Sequence, residues 1–121
     1  MADAVREFID AFNSGDLDAF VETLDPDVEI HAGRGLRRGV DEARLWATRA
    51  PGGVQQTIVV DERRDGDGVS VALITRHWHW DEDGSPAGED QMAWVFELRG
   101  GRVASWMSFD DRVAALAHAG L

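Results

Sequence analysis

The sequence has 121 residues, of which 44% are hydrophobic, so we expect one domain with a single sizeable core rather than a disordered chain. Twelve basic residues against 23 acidic ones give a net charge of −11, which would repel nucleic acid and anionic membrane surfaces. All twelve basic residues are arginines and cysteine is absent, which excludes lysine Schiff bases, thiol nucleophiles, disulfides and cysteine-ligated zinc.

Two helices are predicted first. The segment from Ala2 to Asn13 has one apolar stripe at helical spacing, formed by Val5, Phe8, Ile9 and Phe12. Asp16 is predicted to cap a second helix that runs through Leu24, before Pro26 prevents its continuation. This N-terminal region is acidic and amphipathic, and no apolar run approaches the ~20 residues of a membrane span, so we expect a cytoplasmic protein.

A brief strand, a loop and a third helix follow. The strand is predicted at residues 28–32, the Gly/Arg-rich loop at residues 33–39, and the helix from Asp41 to Ala50, ended by Pro51-Gly52-Gly53. The three arginines of the loop, Arg34, Arg37 and Arg38, are interpreted as solvated.

The second half of the chain reads as strands. They are predicted from Val54 to Arg64, from Val69 to Trp80, and as a β-hairpin from Gln91 to Asp110 that turns at Gly100-Gly101. A short helix from Asp111 to Ala119 closes the chain. The element order predicts an α+β fold, in which three N-terminal helices gather on one face of a curved antiparallel sheet.

Two segments resemble the nuclear transport factor 2-like superfamily, and its SnoaL-like branch in particular. They are NSGDLDAFVETLDPDVEIHAG at residues 13–33 and FELRGGRVASWMSFDD at residues 96–111. The resemblance covers residues 1–121. It implies a cone of curved sheet closed by three helices around a pocket, in a superfamily of ketosteroid isomerases, polyketide cyclases, limonene epoxide hydrolases and non-catalytic domains. Because one fold hosts many activities, the likeness predicts the fold better than the chemistry.

The catalytic residues of the ketosteroid isomerases are not found in this sequence. The position of their oxyanion-hole tyrosine resembles Phe8, that of their general-base aspartate falls near Ala32, and that of their protonated aspartate falls near Trp94. The pocket arginine of the limonene epoxide hydrolases resembles Arg76, but the positions of its partner aspartates fall near Trp78 and Ser108. Neither reaction is expected with its usual machinery.

The face of the sheet that would line the pocket depends on strand register. If Trp78 lies opposite Met92, large apolar side chains of both strands share one face, with Arg76 and Asp90 as its polar groups. These two could form an ion pair that serves a ligand, or one that only ties neighbouring strands together.

Three further positions remain open. A β-bulge between Val103 and Trp106 would turn Trp106 and Ser108 inward, as the resemblance favours, whereas a strict two-residue turn would turn them outward. Asp110 is either a pocket acid or base, or it shares with Asp111 the role of helix cap. His31 would reach the pocket mouth as a general base if its strand slipped by one residue, and is otherwise solvated or held in the core.

His77 and His79 fall on the outer face of the sheet, where no third metal ligand is identified, so we predict no metal site. We expect that outer face, which also carries Val69, Val71, Leu73 and Thr75, to pack against a second subunit as a homodimer.

The sequence predicts a domain that binds a hydrophobic small molecule and does not bind nucleic acid or membranes. The predicted ligand-binding residues are Trp46, Trp78, Trp94, Phe96, Trp106 and Ser108. One hypothesis is a cofactor-free cyclase or isomerase that uses Arg76, Asp90, Asp110 and His31 in acid-base chemistry. The alternative is a non-catalytic binding or association module of the same fold.

Overall fold

The computed structural model describes residues 3–32, 35–48 and 54–121. The elements, in chain order, are α1 (Ala4–Ser14), α2 (Leu17–Glu22), β1 (Leu24–Ala32), β2 (Gly35–Arg38), α3 (Val40–Thr48), β3 (Val54–Gly66), β4 (Val69–Trp80), β5 (Pro86–Arg99), β6 (Arg102–Phe109) and α4 (Arg112–Ala119). This is the predicted α+β arrangement of helices against a curved sheet. Within the described ranges, no helix has the length and apolarity needed to cross a membrane.

Aspartate caps begin the first two helices. The carboxylate of Asp3 accepts a hydrogen bond from the backbone N–H of Arg6, and the carboxylate of Asp16 accepts one from that of Ala19. The second helix ends at Glu22, which is earlier than predicted. Its C-cap, Thr23, uses its carbonyl to accept a hydrogen bond of 2.8 Å from Val103 of β6, so the chain joins the sheet from Leu24 onward.

The six strands lie in the order β2-β1-β6-β5-β4-β3. The last four form the predicted antiparallel meander, with β5 and β6 joined at Gly100-Gly101. One pairing departs from the predicted antiparallel pattern, because β1 lies parallel to β6. Between β1 and β6 the chain forms β2, α3 and the strands β3 to β5, a connection far longer than the dozen or so residues that a parallel pairing requires.

Residues 35–38, predicted as part of a loop, form the edge strand β2 and pair antiparallel with β1. Their arginines are not simply solvated: Arg38 lies 3.3 Å from Glu29 on β1, and Arg37 lies 3.2 Å from Glu42 on α3. The predicted end of the third helix at residues 51–53, and Arg34 in the predicted loop, lie outside the described residues.

The main core fills the space between the inner face of the sheet and the first three helices. The predicted stripe of α1 faces it, with Val5, Phe8 and Ile9 buried and Phe12 partly buried. Ile58, Ala72 and Ile74 contribute from β3 and β4, among other inner-face residues.

A second, smaller cluster covers part of the outer face of the sheet. Val71 and Leu73 of β4 and Val95 of β5 pack there, together with Ala115 of α4. The predicted partner of this apolar surface is a second subunit. The C-terminal helix instead buries it within the same chain, because the apolar side of α4 needs an apolar partner.

Candidate functional site

The centre of the candidate site is an ion pair between neighbouring strands on the inner face of the sheet. Arg76 of β4 lies directly opposite Asp90 of β5. Its Nε donates to Asp90 Oδ1 at 2.9 Å and its Nη2 donates to Asp90 Oδ2 at 2.5 Å, which is a bidentate arrangement. The side chains are 26% and 43% exposed, so the pair lies where solvent and a ligand can both reach it.

Trp78 completes this polar centre. The guanidinium carbon of Arg76 lies 4.6 Å from the centroid of the Trp78 ring, which is a cation–π contact. The ring and the Asp90 carboxylate therefore hold Arg76 from two sides. Such a fixed guanidinium loses little conformational entropy when a ligand binds.

The predicted register of these strands was wrong. Trp78 lies opposite Gly88 rather than Met92, and Met92 lies opposite Ile74, a difference of four residues. Because side chains alternate with a period of two, a shift by an even number leaves every residue on its predicted face. The grouping of Arg76 with Asp90 therefore holds, and the observed register makes them direct neighbours.

A β-bulge in β6 has the predicted effect. Leu98 pairs with Val103, but Glu97 pairs with Ser105, so Ala104 is the extra residue. As a result Trp106 lies opposite Phe96, and Ser108 lies opposite Trp94, all on the inner face. The Ser108 hydroxyl is 3.4 Å from the sulfur of Met92.

Seven aromatic rings meet inside the cone. They are Phe8, Phe12, Phe20, Trp46, Trp94, Phe96 and Trp106. Trp46 of α3 is central: its ring centroid lies 4.5 Å from that of Trp106 and within 6.5 Å of those of four other members. Trp94, Phe96 and Trp106 are 3%, 0% and 5% exposed, so other side chains of the protein cover these rings.

One polar atom in this cluster has no hydrogen-bond partner. The indole Nε1 of Trp106 is buried and meets no acceptor within the described part of the chain. Buried N–H groups are nearly always paired, so this one requires an explanation.

Two predicted acid-base residues lie away from the ion pair. His31 is in register with Met107 of β6, on the side of the sheet opposite to that of Ile30 and Trp106. The one-residue slip that would have turned it inward does not occur. Asp110 is exposed at the end of β6, and Asp111 is the residue that caps α4, with its carboxylate 2.8 Å from the backbone N–H of Val113.

The outer face carries its own polar cluster, which the sequence analysis missed. The Asp61 carboxylate accepts hydrogen bonds from the Thr75 hydroxyl at 2.6 Å and from Arg112 at 3.0 Å. The Thr75 hydrogen bond, followed by that of Arg112, lowers the pKa of Asp61. Asp61 is the extra residue of a bulge in β3, a feature that the alternation pattern does not reveal. Arg112 ties the start of α4 to this cluster.

His77 has a carboxylate neighbour on the adjacent strand. His77 Nδ1 lies 3.6 Å from Glu89, and no group of three metal-binding side chains occurs among the residues that the structure describes.

Two surface cavities lie beside α1. A cavity of 480 Å³ is lined by residues of α1, α2 and the turn between them, and a cavity of 290 Å³ lies between α1 and β3. Neither is lined by a predicted site residue.

The family model for the SnoaL-like domain matches residues 5–106. The chain belongs to the SnoaL-like domain family. No curated protein sequence is significantly similar to this SnoaL-like chain.

Solved structures support the same fold. A candidate polyketide cyclase from Xanthomonas campestris pv. campestris superposes with a TM-score of 0.76 at 19% identity, covering 96% of this chain and 93% of its own. A hypothetical protein of ketosteroid isomerase-like fold from Catenulispora acidiphila, solved with trimethylamine, gives 0.75 at 17% identity, covering 100% and 95%. An LEH-like epoxide hydrolase from M. tuberculosis gives 0.74 at 19% identity, covering 96% and 81%. At these identities the likeness of this SnoaL-like domain extends to the fold and not to the activity.

Proposed function

We propose that this SnoaL-like domain binds a flat, largely apolar small molecule at the Arg76–Asp90 end of the cone. The observation that carries the proposal is the bidentate ion pair, which is partly exposed and has the Trp78 ring beside its guanidinium. Trp78 and the inner-face residues Met92 and Ser108 offer apolar and weakly polar contacts beside it.

Arg76 determines which ligands are suitable. A guanidinium has five N–H donors, and the two bonds to Asp90 leave others for a ligand. A carbonyl, epoxide or carboxylate oxygen would accept from them, while the apolar body of the ligand packs on Trp78. Trp46, Trp94, Phe96 and Trp106 form the inner boundary of the proposed site.

A cofactor-free enzyme of the cyclase or isomerase type is the second candidate. The paired arrangement favours it, because Asp90 could accept a proton while Arg76 stabilises the oxyanion that develops. Asp110, an exposed carboxylate, would be a further acid or base. His31 belongs to the opposite side of the sheet, so its participation would require a separate ligand site.

Binding is tested with a panel of apolar ketones, epoxides and carboxylic acids, by NMR chemical-shift titration of the wild type and of Arg76→Ala. We expect Arg76→Ala to weaken binding of any hit by about tenfold or more, because it removes a charged hydrogen bond. The matched control is Arg64→Ala, which removes an exposed arginine paired with Glu62 on the neighbouring strand β3. Equal affinities in the two variants would contradict the proposal.

Catalysis is tested on the same panel by chromatography of reaction mixtures. If Asp90 is the base, Asp90→Asn should abolish turnover of any converted compound but retain its binding. Turnover that persists in Asp90→Asn would refute Asp90 as the base, whereas a wild type that converts none of the compounds it binds would remove the enzyme assignment and leave the binding assignment intact.

Homodimer formation through the outer face stays a separate proposal. Helix α4 covers the apolar part of that face, so the surface left for a partner centres on Val59, which is 43% exposed, with Thr57 and His77 beside it on the same face. We expect sedimentation velocity at micromolar concentration to give a dimer that Val59→Asp converts to a monomer. A monomeric wild type would refute the dimer.

A further inference from the structure

The strongest unexplained feature of the interior is the indole N–H of Trp106. The side chain is 5% exposed, and its nitrogen has no acceptor among the residues that the structure describes. A donor that loses water without gaining a protein partner carries its full desolvation penalty. Any occupant of the cone that brought an acceptor to this atom would recover that penalty.

The ring that covers Trp106 belongs to the least buried of the first three helices. The Trp46 ring packs against Trp106 in a tilted arrangement, with 4.5 Å between the centroids and 49° between the ring planes. On α3 only Ala43 is fully buried, whereas Leu45 is 54% exposed and Trp46 itself is partly exposed. Elements with few buried contacts are the ones that move at low free-energy cost.

The Trp46 side chain also has the shape of a ligand that could occupy the same space. Its flat bicyclic ring contacts aromatic side chains of α1, α2, β5 and β6 at once, as a bound ligand of similar size would do. These contacts involve Phe8, Phe12, Phe20, Trp94 and Trp106.

We propose that Trp46 occupies part of the ligand site, and that a flat bicyclic ligand with a hydrogen-bond acceptor displaces it and accepts from Trp106 Nε1. This inference rests on the proposed binding function and extends it to a second polar contact, deeper than Arg76. Trp106 is then a specificity-determining residue. The site prefers an aromatic ligand with an acceptor over the same ring without one, because only the former satisfies the indole N–H.

Naphthalene and quinoline are the probes, because they have the same size and shape and differ by one ring nitrogen that accepts a hydrogen bond. Each is titrated into ¹⁵N-labelled wild-type protein at a pH where quinoline is neutral. The five tryptophans provide up to five indole N–H signals, assigned with single Trp→Phe variants. We expect quinoline to bind about 2- to 10-fold more tightly than naphthalene and to shift the Trp106 indole proton downfield.

Trp106→Phe keeps an aromatic ring but removes the donor, so it should abolish the preference for quinoline. Trp46→Ala removes the ring that a ligand would displace. It should strengthen binding of both probes by about tenfold or more, because the Trp46 ring no longer competes with them for the site. The matched control is Leu45→Ala on the same helix, which should change affinity less than about twofold.

The inference is overturned if the Trp106 signal does not respond in the wild type, or if Trp106→Phe, still folded by its amide spectrum, retains the preference. It is also overturned if neither probe binds to wild type or to Trp46→Ala. A response confined to the Trp78 indole would contradict this inference and support the proposed site at Arg76. A response at Trp106 that Arg76→Ala leaves unchanged would support the inner contact, while the contact at Arg76 is tested separately by the panel of ketones, epoxides and carboxylic acids.

Discussion

Asn13 on the last turn of α1 bonds both backbone groups of Ile58 on β3. Its Nδ2 donates to the Ile58 carbonyl at 2.9 Å, and its Oδ1 accepts from the Ile58 N–H at 2.8 Å. Because β3 is the edge strand of the sheet, no further strand among the described residues is paired with these groups. The Asn13 amide therefore makes the two hydrogen bonds that a neighbouring strand would make, and it joins the helical layer to the sheet.

Asn13→Ala should lower the free energy of unfolding by about 1–3 kcal/mol, because two part-buried backbone groups lose their partner. Urea denaturation followed by circular dichroism measures the change. Asp10→Ala, at a 71% exposed position on the same helix, serves as the control and should stay within about 0.5 kcal/mol of wild type. A similar loss in both variants would mean that the effect is not specific to the amide, since alanine has a higher helix propensity than either residue it replaces.

The cap of α4 allows a sharp comparison of two adjacent aspartates. Asp111 accepts hydrogen bonds from the N–H groups of Val113 and Ala114, whereas Asp110 is exposed. Asp111→Ala should therefore cost about 1 kcal/mol of stability, and Asp110→Ala much less. Hydrogen exchange at the amides of α4 should show the same order. Equal exchange rates in both variants would argue against the assigned cap.

The hairpin turn depends on backbone conformation alone. Gly100 and Gly101 have φ values of 58° and 77°, and a Cβ added at either would meet nothing within 4 Å. Gly100→Ala should thus destabilise the protein by about 1–2 kcal/mol through the left-handed conformation and not through a clash. Gly100→Asn should cost less, because asparagine tolerates this region. Thermal unfolding of the two variants tests the order, which a steric effect would reverse.

Stability should fall in acid through specific carboxylates. The Arg63 hydrogen bond lowers the pKa of Asp3, and the Thr75 hydrogen bond lowers the pKa of Asp61. A carboxylate whose pKa is lower in the folded state stabilises the protein above its unfolded pKa of about 3.9, and that contribution is lost as pH falls through the folded value.

The free energy of unfolding of wild type should therefore decrease as pH falls below about 4. In Asp61→Asn the decrease should be shallower, because the amide cannot take up the proton. Asp67→Asn, in the exposed turn between β3 and β4, is the control. An Asp61→Asn profile parallel to wild type down to pH 2 would disprove the contribution of Asp61.

Much of the fold could be predicted because it depends on local periodicity. The stripe of α1, the cap at Asp16, the turn at Gly100-Gly101 and the limits of β4 are set by spacing and by residues with special conformations. The inner-face placement of Arg76 and Asp90 follows from the period of two. The inward placement of Trp106 did not follow from this period, because a β-bulge at Ala104 shifts the alternation by one residue. That bulge was favoured by the family resemblance and not by the alternation pattern.

Only the tertiary structure decided which residues meet. Alternation assigns a face but no register, so the partner of Trp78 was predicted four residues away from Gly88. The parallel pairing of β1 with β6 and the burial of the outer face by α4 depend on contacts between distant segments. The same is true of Trp46, whose ring lies among the aromatic side chains of four elements. Sequence periodicity identified the apolar surfaces of the helices and strands. Which of these surfaces pack together depends on their shapes, because close packing must be achieved for all elements at the same time.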